Sequence, residues 1–60
     1  MAMSRMHYRE AADNFAREYA EATSNQQKNL IKRLANRQAD MFARDNGRFD
    51  RQKFLDACGF

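Results

Sequence analysis

The stretch Asn25-Gln26-Gln27-Lys28-Asn29-Leu30-Ile31-Lys32-Arg33-Leu34-Ala35-Asn36-Arg37-Gln38-Ala39-Asp40-Met41-Phe42-Ala43-Arg44-Asp45 decides the fold. It holds no proline and no glycine, and good helix formers dominate it. Leu30, Ile31, Leu34, Ala35, Met41 and Phe42 recur at spacings of three and four, with Gln38 on the same face. That is the period of a helix with one apolar face. The face spans a wide arc, so this helix is expected to be the central packing element.

The flanks punctuate it. Thr23-Ser24-Asn25 precedes it, and Ser24 with Gln27 has the spacing of a capping box. Asn46-Gly47 follows, and Gly47 is expected to stop the helix by taking the left-handed conformation. Upstream, Tyr8, Ala12, Phe15, Tyr19 and Ala22 form a second apolar stripe at helical period, with Ser4 as the expected cap. Arg9, Asp13, Arg17 and Glu21 alternate in sign at i, i+4 and read as a salt-bridged solvent face. Downstream, Asp50 is a cap, and Phe49 and Phe54 have the spacing of a hydrophobic staple. Leu55 and Cys58 complete that helix's inward face, Gly59 stops it, and Phe60 is placed to fold back on its end.

The expected architecture is all-α: one domain over residues 1–60, with a flexible N-terminus at 1–4. Helices are expected at about 5–22, 25–45 and 51–58. Two long antiparallel helices form a hairpin, and a short third helix lies across its open end, making a small three-helix bundle. Sheet formers are scarce: valine is absent, Ile31 is the sole isoleucine and Thr23 the sole threonine. Sixty residues bury only a thin core. The apolar arc of the central helix, with Met3, Met6 and Phe60, is larger than one short hairpin covers, so a homodimer is expected.

Several classes of function fall away at this stage. One cysteine, Cys58, permits no internal disulfide and fits a reducing compartment, so the cytoplasm is the expected location. Cys58 and the single histidine, His7, cannot close a zinc site, and no metal or other cofactor is expected. No apolar run approaches the length of a membrane span, so no membrane partner is expected. Glu10, Asp13, Glu18 and Glu21 read as solvated carboxylates. A general acid needs burial or a like-charged neighbour to move its pKa, and nothing in the spacing supplies either. No catalytic residue is assigned, and the chain is not expected to be an enzyme.

What stands out is the placement of positive charge. The net charge is +3. Lys28, Lys32, Arg33, Arg37, Arg44 and Arg48 lie between Thr23 and Arg48, against Asp40 and Asp45. Arg33, Arg37 and Arg44 share one side of the central helix. With Arg48 and Arg51 they are the candidate partner-binding residues. Such a row is most simply a solvated face; it also suits an acidic protein surface or the tracking of nucleic-acid phosphates. Binding of a protein partner is the first reading and nucleic-acid binding by the basic face the second.

The stretch from Phe42 to Gly59 contains Asn46-Gly47-Arg48-Phe49-Asp50-Arg51-Gln52-Lys53-Phe54-Leu55-Asp56-Ala57-Cys58-Gly59. It resembles the ending of a group of small proteins from bacteriophages and other mobile elements, Asn-x-x-Phe-Asp-Arg-x-x-Phe-Leu-x-Ala-Cys-Gly. The opening Ser4-Arg5-Met6-His7-Tyr8 is similar to that group's start. Gly47 stands where the group often has proline. The resemblance implies a phage or plasmid accessory protein, and it implies no activity; docking on a protein such as a host defence or regulatory complex is the first hypothesis for its role. Most of the motif reads as a folding device of stop, staple, cap and inward face. Arg51 is the residue in it that folding explains least.

Overall fold

The computed structural model describes residues 5–60. Three helices follow in order: α1, Arg5–Glu21; α2, Asn25–Asp45; and α3, Arg51–Ala57. Among the described residues there is no strand. The expected cap at Ser4 and the apolar side chain of Met3 lie outside the described residues.

The junctions follow local chemistry. At the start of α2 the Ser24 hydroxyl accepts the Gln27 backbone N–H at 3.2 Å. Gln27 reaches back through Oε1, accepting the backbone N–H of Thr23 at 2.7 Å and the Thr23 hydroxyl at 3.1 Å. The box therefore closes one residue ahead of the cap itself, and two otherwise unpartnered backbone donors are satisfied. At the start of α3 an Asp50 carboxylate oxygen accepts the Lys53 N–H at 3.0 Å. Phe49 and Phe54 meet with ring centroids 5.6 Å apart, as the staple spacing predicts.

The end of α2 departs from expectation. Gly47 does not take the left-handed conformation; among the described residues only Gly59 does, at φ 85°. Asn46 makes the turn instead. Its backbone is extended and its N–H donates to the Phe42 carbonyl at 2.9 Å. Its Oδ1 accepts the Arg48 N–H at 3.0 Å, and its carbonyl accepts the Phe49 N–H at 3.0 Å. An asparagine side chain that bonds the backbone two residues on imitates a turn, so no positive φ is needed.

α1 and α2 run antiparallel, with Tyr8 near the start of one against Phe42 near the end of the other, centroids 4.8 Å apart. α3 does not lie across the open end of this hairpin. It runs along the groove, parallel to α1: Phe49 packs on Tyr8 at 4.9 Å, Phe54 on Phe15 at 6.3 Å, and Phe60 on Tyr19 at 5.0 Å. All three helices pack against one another. In this arrangement Phe54 is buried and Phe49 is partly buried against the core.

The core is made of Ala12, Ala35, Ala39, Phe42, Phe54 and Cys58. Three alanines let the helix backbones approach closely, and two phenylalanines fill the space between. Edge-to-face geometry joins Phe42 to Phe54 at 5.5 Å and Phe42 to Phe49 at 5.4 Å. Such pairs add about 0.5–1.5 kcal/mol beyond area burial. The expected salt-bridged row of Arg9, Asp13, Arg17 and Glu21 forms no ion pairs among the described residues; these side chains are exposed and solvated.

Candidate binding surface

Packing divides the apolar positions of α2 into two sets. Ala35, Ala39 and Phe42 are buried. Leu30, Leu34 and Met41, which the sequence assigned to the same inward stripe, remain 48%, 47% and 44% exposed. On a helix of 3.6 residues per turn, Leu34 and Met41 lie about 100–120° away from the Ala35–Ala39–Phe42 direction, toward the outer surface. Gln27, Leu30, Leu34, Arg37, Met41 and Arg44 fall at alternating spacings of three and four, which is the seam of a heptad repeat. Isolated exposed leucines are ordinary; here three large apolar side chains share one side of α2.

Arg33, Arg37 and Arg44 border this row, and all three are exposed. None forms an ion pair among the described residues. Arg37 and Arg44 line an open surface groove with Asp40, Ala43 and Arg51. A second open groove on the α1 side is lined by Glu18, Glu21, Ala22, Gln27, Leu30 and Ile31. The outer face of α2 thus has carboxylates beside Leu30 at one end and guanidinium groups beside Met41 at the other.

The remaining cations are placed elsewhere. Lys28 and Lys32 hold their ammonium groups over the Tyr19 ring, 5.7 and 5.5 Å from its centroid. They cap the α1–α2 contact. Arg48 is exposed in the turn after α2, beyond the helical row. Arg51 is half-buried and turned inward. It pairs with Asp40, and its Nη2 donates to Asn36 Oδ1 at 2.7 Å. Of the five candidate binding residues, the fold brings Arg51 to the groove that Arg37 and Arg44 line, where it pairs with Asp40; Arg33 shares their side of α2 outside that groove, and Arg48 lies in the turn beyond it.

Cys58 is fully buried at the C-cap of α3, and burial pushes its thiol above the ordinary range. A protonated, enclosed thiol is a packing group and a poor nucleophile. Among the described residues no three His, Cys, Asp or Glu side chains gather where a metal ion could be held. No helix among them is long and apolar enough to cross a membrane. The sequence led to the expectation that the apolar arc of α2 exceeds what the hairpin covers, but it did not single out Leu30, Leu34 and Met41 as the exposed part, although their heptad spacing was available. Comparison of the chain with known protein families, with curated proteins and with solved structures finds no match.

Proposed function

We propose that this chain is a non-catalytic accessory protein that works by docking on another protein chain through the outer face of α2. The observation that carries this reading is the row of Leu30, Leu34 and Met41, each about half exposed, bordered by Arg33, Arg37 and Arg44. An apolar row supplies the area that drives association, and the arginines favour a partner with carboxylates along the same edge. The resemblance of the C-terminal stretch to small phage and mobile-element proteins supports an accessory role in the cytoplasm of a host cell, directed at a host defence or regulatory complex. Capture from host lysate, with and without nuclease, tests it. A partner retained after nuclease and lost with Leu34→Glu is the expected result.

Nucleic-acid binding is the second reading, and it has its own observation: Arg33, Arg37 and Arg44 share one face without ion pairs among the described residues. Three guanidinium groups are few for phosphate tracking, and α1 adds Glu10, Asp13, Glu18 and Glu21 to the same small body. Capture that nuclease abolishes would favour this reading over protein docking.

A further inference from the structure

We propose that Asn46 is a site of spontaneous covalent modification, converted to aspartate and isoaspartate through a cyclic imide, and that the α2–α3 turn controls its rate. Of Asn14, Asn25, Asn29, Asn36 and Asn46, only Asn46 precedes a glycine. The chemistry needs this dipeptide and water alone. The Gly47 backbone nitrogen gives its proton to solvent base and attacks Asn46 Cγ. The Cγ–Nδ2 bond breaks, Nδ2 takes a proton from water and leaves as ammonia, and a five-membered ring remains. Water then opens the ring at either carbonyl. One product is aspartate; the other is isoaspartate, whose backbone runs through Cβ. Glycine favours the attack because no Cβ crowds the nitrogen. Gly47 is exposed, and its N–H donates to no backbone carbonyl of the turn.

The folded turn opposes ring closure. The ring needs the Gly47 nitrogen on the Cβ side of Asn46, at negative ψ, whereas Asn46 is held extended at ψ 109°. Turning that bond swings the Asn46 carbonyl away from the Phe49 N–H, which it accepts at 3.0 Å. Closure also draws Oδ1 from the Arg48 N–H at 3.0 Å and Nδ2 from the Tyr8 hydroxyl at 3.5 Å. The reactive geometry belongs to the opened turn, so the rate in the folded protein is the unfolded chain's rate multiplied by the fraction open. The products then disfavour closing. Aspartate adds a negative charge next to Asp45 at the C-terminal end of α2, where the helix dipole opposes it. Isoaspartate inserts a methylene into the backbone, which moves the Arg48 and Phe49 N–H groups relative to the acceptors of residue 46.

Incubation of the full chain at mildly alkaline pH, in buffer and in guanidinium chloride, tests this. Peptide mapping by mass spectrometry and enzymatic detection of isoaspartate follow the conversion. Asn46 should convert at least about tenfold faster in denaturant than in buffer at the same pH. The product should carry one positive charge fewer than the parent's +3, elute earlier from a cation exchanger and, once refolded, melt below the parent. Gly47→Ala keeps the fold, because a Cβ there meets nothing within 4 Å, and it should slow conversion in denaturant several-fold by crowding the nitrogen. Equal rates in buffer and denaturant overturn control by the turn, and a product as stable as the parent overturns its effect on closing. Absence of conversion at Asn46 in denaturant, faster conversion at another asparagine, or a rate indifferent to Gly47→Ala overturns the site itself.

Discussion

Arg51, the first residue of α3, pairs across the chain with Asp40 of α2, and the same guanidinium donates to Asn36 one turn earlier. This brace ties the start of α3 to the middle of α2. Asp40 also lies in the open groove beside Arg37 and Arg44. Arg51 and Asp40 side chains are 42% and 62% exposed, so solvent screens the pair and its contribution is small. A double-mutant cycle with Arg51→Gln and Asp40→Asn should return a coupling of about 0.2–1 kcal/mol in chemical denaturation. Arg51→Gln should leave partner capture unchanged, and loss of capture with intact stability would return Arg51 to the binding surface.

The two glycines should respond in opposite directions. A Cβ at Gly47 meets nothing within 4 Å, and the residue does not use the left-handed region. Gly47→Ala should therefore leave stability unchanged or raise it by up to about 1 kcal/mol, through the unfolded chain's lost freedom. Gly59 sits at φ 85°, where a side chain is strained whatever the space around it. Gly59→Ala should cost about 1–2 kcal/mol. Paired thermal melts read both, and a loss at Gly47 would mean that the Asn46 turn depends on glycine after all.

Core and outer face of α2 differ sharply in what truncation should do. Phe42 is 1% exposed and touches the rings of Tyr8, Phe49 and Phe54. Phe42→Ala should cost about 3–5 kcal/mol, enough to unfold so small a domain. Phe49→Ala, removing half of the staple, should cost about 1–3 kcal/mol. Leu34→Ala should stay within about 0.5 kcal/mol in the monomer. Urea titrations at low protein concentration separate these effects from self-association.

Local rules made most of the elements readable. Ser24, Asp50, Phe49 and Phe54 act within five residues of their partners, so spacing alone located two helix starts and the staple. Three features depend on contacts distant in sequence and were not readable that way. The apolar arc of α2 was too wide to reveal its inward half; burial of Ala35 and Ala39 follows from how closely α1 and α3 approach. The lengthwise course of α3 follows from Phe54 meeting Phe15 and Phe60 meeting Tyr19, 39 and 41 residues away in the chain. The inward use of Arg51 needs Asn36 and Asp40, 15 and 11 residues back. Gly47 misled for a different reason: Asn46 beside it could make the turn through its side chain, and two adjacent turn formers do not announce which one acts.

Cys58 links stability to pH. Burial raises its folded-state pKa, so the folded protein keeps the proton at a pH where the unfolded chain releases it. Stability is unaffected by this group below the ordinary thiol range and falls as pH rises from about 8.5 toward the raised value. Denaturation midpoints measured from pH 7 to pH 10 should drop more for the native chain than for Cys58→Ala, which cannot ionise there. In parallel, a thiol reagent should label Cys58 at the rate of opening of the helix bundle, and immediate labelling of the native protein would mean that the α3 terminus is open.

The basic row provides the test between classes of partner. If Arg33, Arg37 and Arg44 contact phosphates, the logarithm of affinity for nucleic acid should fall with the logarithm of salt concentration by about 0.7–0.9 per phosphate contacted. Replacing all three by glutamine should flatten that slope by about two to three units, and helix formation should survive because glutamine is nearly as good a helix former as arginine. The expected outcome is no tight binding of duplex or single strands at physiological salt, because three guanidinium groups give too few contacts and the carboxylates of α1 oppose the approach of a polyanion. For a protein partner the same variant gives a different signature. Association should slow and lose its salt dependence, while the apolar row still holds a weakened complex. Leu34→Glu in the unchanged arginine background should do the reverse, shortening the lifetime of the complex with little effect on its rate of formation. Steep salt dependence with nucleic acid that disappears in the triple variant would instead make phosphate contact the work of this face.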